Sequence, residues 1–111
     1  MKKPPYFVID AQHYLDEKGL VPENIPSPVR KFILFYGQIM EEASLKPPGE
    51  NVETSVQCRE KTDGKPCPGK ITATRENNES PILWKCTHCG AAGQIHKWQK
   101  TQWDNSMESV H

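Results

Sequence analysis

The sequence predicts an α+β fold in which two N-terminal helices precede a small antiparallel β module. Three observations predict it. Apolar residues recur at helical spacing over 28–44. Beyond Pro47-Pro48-Gly49 the character changes to short runs that mix β-branched and polar residues. All four cysteines stand between positions 58 and 89, inside that second part.

The first helix is expected over Ala11 to about Lys18. Asp10 suits an N-cap, Ile9 and Tyr14 have the spacing of a hydrophobic staple, and Gly19 suits a stop. Pro22, Pro26 and Pro28 keep the next stretch extended, and Ser27-Pro28 reads as N-cap and first residue of a second helix, 28–44. Its apolar stripe comprises Val29, Phe32, Ile33, Tyr36, Ile39, Met40 and Ala43, widened by Leu34 and Phe35. A stripe this broad needs cover on more than one side. The cover is the first helix with the β module, or else a protein partner, with a second copy of the chain forming a homodimer through helix 28–44.

Four strands are expected after the linker: Val52 to Cys58, Lys70 to Arg75, Pro81 to Lys85 and Gln94 to Trp98. The polar run Glu76-Asn77-Asn78-Glu79-Ser80 suits a hairpin turn between the middle two. The domain plan is therefore a helical N-terminal region over 1–47, a β module over 52–104 and a flexible tail over 105–111.

Composition narrows the function. The chain has 111 residues, is 35% apolar and carries ten prolines, so its own core is thin and a staple is expected. Net charge is zero, from 14 basic and 14 acidic residues. A protein that grips nucleic acid through phosphates shows a basic excess, which is missing here. The apolar run after Lys2-Lys3 is too short for a signal peptide, and no run is long enough to span a membrane. A cytoplasmic chain with no membrane partner is expected, and clustered cysteines in a reducing compartment read as metal ligands before disulfides.

The strongest motif is Cys86-Thr87-His88-Cys89-Gly90. Two cysteines around two residues clasp one metal from a tight turn, and the glycine tolerates the positive φ of its exit. Cys58 and Cys67 supply the other pair. Eight residues separate them, more than the usual two to four, with Asp63-Gly64 to turn the longer loop. Four thiolates leave no open coordination position, so the expected cofactor is one structural Zn²⁺ per chain, and no enzyme is expected. Structural zinc contributes on the order of 10–16 kcal/mol of apparent binding free energy in small domains. A core of this size offers roughly 3–5 kcal/mol by itself. Residues 52–104 are therefore expected to be largely disordered without metal.

The layout of two clasps around a hairpin resembles the zinc-ribbon superfamily over about residues 52–104. The run Cys67-Pro68-Gly69, then Trp84-Lys85-Cys86-Thr87-His88-Cys89-Gly90, then Trp98-Gln99 through Trp103-Asp104, resembles small bacterial zinc-ribbon proteins. Their helical N-terminal half is similar too. The resemblance implies the fold and the domain plan, and brings no established activity; the ligand set Cys58, Cys67, Cys86 and Cys89 comes from the cysteine spacing itself.

Other chemistry has weaker support. A redox role for Cys86 and Cys89 would place the pair at a helix start, whereas Gly90 and β-like residues follow. Haem attachment is excluded, because glycine follows Cys89. His13, His88 and His96 read as surface or packing residues. Trp84, Trp98 and Trp103 suit a miniature core better than base stacking. Arg59, Lys61, Lys65, Lys70 and Lys85 lie near the ligands in sequence and soften the site's negative charge. The chain thus reads as a non-catalytic zinc-ribbon adaptor that binds protein or itself, with nucleic acid as the alternative partner.

Overall fold

The computed structural model describes residues 4–106. It departs from expectation at the N-terminus. Tyr6–Asp10 form a strand, β1, and the helical run after it is one 3-10 turn, Ala11–Tyr14. The single α-helix is α1, Ser27–Leu45. The two predicted N-terminal helices are therefore one.

The physical reasons are local. Asp10 does cap, its Oδ1 accepting from Gln12 N at 3.0 Å. The turn it opens buries only Ala11, too little apolar surface to propagate a helix. Asp16 Oδ1 then takes the N–H groups of Lys18 and Leu20, and Gly19 turns left-handed at φ +79°. Upstream, the aromatic and β-branched run Tyr6-Phe7-Val8-Ile9 suits a strand.

Five strands form one mixed sheet: β1, then β2 (Val52–Gln57), β5 (Lys70–Thr74), β6 (Ile82–Cys86) and β7 (Ala92–His96), in the order β1-β7-β6-β5-β2. β1 runs parallel to β7, with Tyr6 opposite Ala92 and Asp10 opposite His96. The sheet is thus not the purely antiparallel module expected, although its other pairings are antiparallel. A two-stranded ribbon, β3 (Lys61–Thr62) and β4 (Lys65–Pro66), stands apart.

Alternation divides the sheet into two faces. Phe7, Ile9, Ile71, Ala73, Ile82, Trp84 and Ile95 point to the face covered by α1. From α1 the buried residues Ile33, Tyr36, Ile39, Met40 and Ala43 meet them. The helix stripe thus finds much of its cover inside the chain, while Val29 and Leu34 remain exposed. The other face carries Val8, Gln94, Leu83 and Thr74 in one cross-strand row and Tyr6, Ala92, Lys85 and Thr72 in the next. Tyr6, Val8 and Leu83 are exposed there.

All three tryptophans are buried. Trp98 donates from Nε1 to Ser80 O at 2.8 Å, and the Arg75 guanidinium lies 5.3 Å from the centre of its ring. Arg75 also donates to Ala43 O at 2.6 Å, capping the C-terminal end of α1. Trp103 returns the chain to the helix, where its carbonyl accepts from Ser44 Oγ. Of the expected tail, Asn105 donates to Ser44 Oγ and Ser106 to Asp104, while 107–111 lie outside the described residues. Among the described residues, no helix is long and apolar enough to cross a membrane.

Candidate metal centre

Four sulfurs converge at one end of the sheet. Cys58 follows β2, Cys67 follows β4, Cys86 closes β6 and Cys89 ends the turn after it. Their Sγ atoms all lie within 4.8 Å of one another. The pairs Cys58–Cys89 and Cys67–Cys86 are 3.7 and 3.6 Å apart. A tetrahedron of sulfurs about 2.3 Å from one ion has edges of roughly 3.8 Å. A disulfide needs about 2.05 Å. The spacing fits a shared cation and does not fit a disulfide.

Backbone geometry supports the same reading. Cys86 Sγ accepts from His88 N at 3.4 Å and from Cys89 N at 3.5 Å, and Cys67 Sγ accepts from Gly69 N at 3.4 Å. Such N–H groups stabilise negative sulfur. Burial raises the Cys86 thiol, but the His88 and Cys89 backbone donors, with the neighbouring Cys67 and Cys89 thiols, outweigh it and bring it down to about 7. Cys58 is pushed up, chiefly by burial. A bound cation would offset that cost, because metal ligation requires the thiolate.

The glycines are explained by crowding and by turn geometry. Gly90 leaves the second clasp at φ +84°. A Cβ at Gly69 would run into Cys86 Sγ and His88 Cβ, so only glycine lets the two clasps close. The long first loop folds back through the β3–β4 ribbon, where Asp63 (φ 53°) and Gly64 (φ 78°) supply the two left-handed residues of a tight hairpin turn. Cys67 N then donates to Glu60 O at 2.8 Å, and Cys58 N to Gly69 O at 2.9 Å. An eight-residue insertion thus reaches the geometry of a short clasp.

The histidines lie elsewhere. His88 is exposed, His96 meets Gln94 Oε1 at 2.8 Å on the open sheet face, and His13 is exposed against the edge of Tyr14. None joins the cysteine cluster. Arg59, Lys61, Lys65, Lys70 and Lys85 are exposed.

Sequence reasoning missed a cavity of about 150 Å³ beside the centre, walled by Phe7, Phe32, Phe35, Tyr36 and Trp84 and bordered by Cys58, Arg59 and Glu60. It needs β1 to bring Phe7 against Trp84, whereas from the residues alone Tyr6 to Ile9 is only a short apolar run ahead of the Asp10 cap. Burial raises the Tyr36 hydroxyl to about 12; Arg59 opposes that shift and Glu60 adds to it, so both charges are felt inside.

Compared with protein-family models, curated proteins and solved structures, the chain matches none. The zinc-ribbon likeness of its motifs therefore stays a likeness. What the structure establishes is a four-thiol cluster of metal-binding dimensions.

Proposed function

We propose that this chain is a non-catalytic binding module whose fold is held by one Zn²⁺ on Cys58, Cys67, Cys86 and Cys89. The observation that carries the reading is the convergence of four sulfurs within 4.8 Å. An all-thiolate donor set suits zinc among the common divalent ions. When bound, the ion supplies cross-linking of four chain segments, and with four protein ligands it keeps no position for substrate or reactive water. Three of the four cysteines are buried, which disfavours thiol exchange.

The expected partner is a protein or a second copy of the chain. Much of the apolar stripe of helix 28–44 packs internally, so support for a partner shifts to the open sheet face, where Tyr6, Val8 and Leu83 are exposed together. A second reading, nucleic acid, draws on the same face, where Tyr6 and Lys85 flank Ala92 in one row.

Native mass spectrometry of protein purified without chelator tests the centre. The expected species holds one zinc per chain, lost on acidification. A metal-free chain lighter by two or four hydrogens overturns the reading in favour of disulfides. Sedimentation as a dimer supports self-association, and steeply salt-dependent oligonucleotide binding supports the second reading.

A further inference from the structure

The aromatic walls of the cavity between α1, β1, β6 and the first cysteine loop supply no metal ligand. They are Phe7, Phe32, Phe35, Tyr36 and Trp84, and the volume is about 150 Å³. An apolar cavity of roughly that size accommodates one benzene ring. A trimethylammonium head has fewer heavy atoms than benzene, so it fits the same space. The rings stand in more than one orientation. Phe35 and Tyr36 meet Trp84 at 85° and 66°, Phe32 meets Tyr36 at 64°, and Phe7 lies within 12° of the Trp84 plane. A flat ligand matches one of these planes at a time, whereas a rounded group can touch them all.

A cation already uses two of these rings. The Arg59 guanidinium lies over Phe32 at 5.3 Å from its centre and over Phe35 at 5.6 Å, and Arg59 and Glu60 both border the cavity. Those distances fall within the range, about 6 Å, at which a cation is drawn to a ring face. Arg59 is exposed, so its charged head can leave the rings for water at little cost. The ion pair found among the described residues is Lys97–Asp10, so Glu60 is in none among them. With Arg59 swung out, Glu60 is the charged group left on the lining, and its carboxylate and the ring faces favour the same sign of ligand. An anion would face Glu60, and a neutral ligand would gain nothing from its charge. A plain ammonium would bring N–H donors against carbon walls and leave them unpaired, whereas a quaternary nitrogen has no N–H.

We propose that this cavity binds a quaternary ammonium group, which takes over the faces of Phe32 and Phe35 that Arg59 covers. Arg59 is then a resident cation that competes with the ligand, and the rings supply the attraction. The metal loops help to shape the site: Arg59 and Glu60 follow Cys58 directly, and Ala91, also on the lining, comes just after Cys89 and Gly90. The inference goes beyond the binding-module reading and does not depend on which face a protein partner uses. A small free cation such as choline and a trimethylated lysine on another protein carry the same chemical group.

The test is calorimetric titration of the full, zinc-loaded chain with choline and with its uncharged tert-butyl isostere. Saturable choline binding is expected, with the isostere weaker by about tenfold or more. Phe35→Leu, which keeps apolar bulk and removes a ring face, is expected to weaken choline about two- to fivefold and to leave the isostere nearly unchanged. Arg59→Ala, which removes the resident cation, is expected to tighten choline by a similar factor. Zinc content and circular dichroism of each variant show that the fold persists, which separates failure of this proposal from failure of the metal reading. The comparison of choline with its isostere needs no variant. Absence of saturable choline binding overturns the proposal, as do equal affinity for the isostere, choline binding unchanged in Phe35→Leu, or weaker choline binding in Arg59→Ala. A trimethyllysine peptide competing with choline identifies the source. Tighter binding of the peptide means that a partner protein presents the group, and equal or weaker binding means that a free cation is the ligand.

Discussion

Gly37 in the middle of α1 is the residue that lets Trp103 reach the core. A Cβ at position 37 would stand 2.6 Å from Trp103 Cζ2, inside van der Waals contact. Helix propensity alone favours alanine over glycine at such a site by roughly 0.5–1 kcal/mol. Packing opposes it, since overfilling a tight contact costs about 1–3 kcal/mol. Packing wins by these magnitudes. Gly37→Ala should lower the thermal midpoint, and Trp103→Leu in the same chain should recover part of the loss. A raised midpoint in Gly37→Ala would mean the indole is not held there.

Metal removal should cost most of the stability. Zinc binding of about 10 kcal/mol or more is comparable to the whole net stability of a small domain, roughly 5–15 kcal/mol. Chelation should therefore abolish the strand signal in circular dichroism, and Cys67→Ser should do so without chelator. The pH dependence has a definite sign. In the loaded state the four sulfurs are thiolates, whereas unfolded thiols hold their protons below about pH 8.5. The unfolded chain binds more protons, so stability at fixed free zinc falls as pH falls below about 8. A midpoint unchanged between pH 8 and 6 would falsify metal ligation by these thiols.

Much of this was legible in the residues. Spacing placed α1 to within a residue at each end and β2, β5, β6 and β7 to within two, because these elements have one buried face and the periodicity shows it, while the two-residue strands β3 and β4 are too short to show any. The cysteine cluster was legible from Cys86-Thr87-His88-Cys89-Gly90 and the Asp63-Gly64 turn, since both are local chemistry. β1 was not. Its parallel partner β7 lies more than eighty residues away, and a five-residue run carries no sign of so distant a pairing. Asp10 caps whether one turn or three follow, so the cap alone could not set the helix's length. Missing β1 also meant missing the aromatic cavity.

Glu42 ties the helix to the edge strand. Its carboxylate accepts from Ser55 N at 2.8 Å and from Ser55 Oγ at 2.6 Å. Burial raises this carboxyl, but the two Ser55 bonds with Gln38 and Lys70 outweigh it, and its pKa lies below the usual value. A depressed folded pKa means the stabilisation is complete above the unfolded value and fades as pH falls through the folded one. At pH 7 it is present in full. A double-mutant cycle of Glu42→Gln and Ser55→Ala at that pH should give a coupling of about 1 kcal/mol. Strict additivity would show that the pair contributes nothing.

The last prediction joins backbone conformation to the metal. Gly64 sits at φ +78° with open space where a Cβ would stand, so substitution there meets no side chain. Its whole cost is backbone strain, on the order of 1–2 kcal/mol for a non-glycine residue in the left-handed region. That strain falls on the hairpin turn that brings Cys67 back toward Cys58. Gly64→Val should therefore weaken metal binding by roughly five- to thirty-fold, read by competition with a chromogenic chelator. Gly49 has the same open surroundings at φ +88° but lies in the linker, away from the sulfurs. Gly49→Val should cost similar stability with metal affinity nearly unchanged. Equal loss of affinity in both variants would mean that the centre responds to global stability and not to the shape of its own loop.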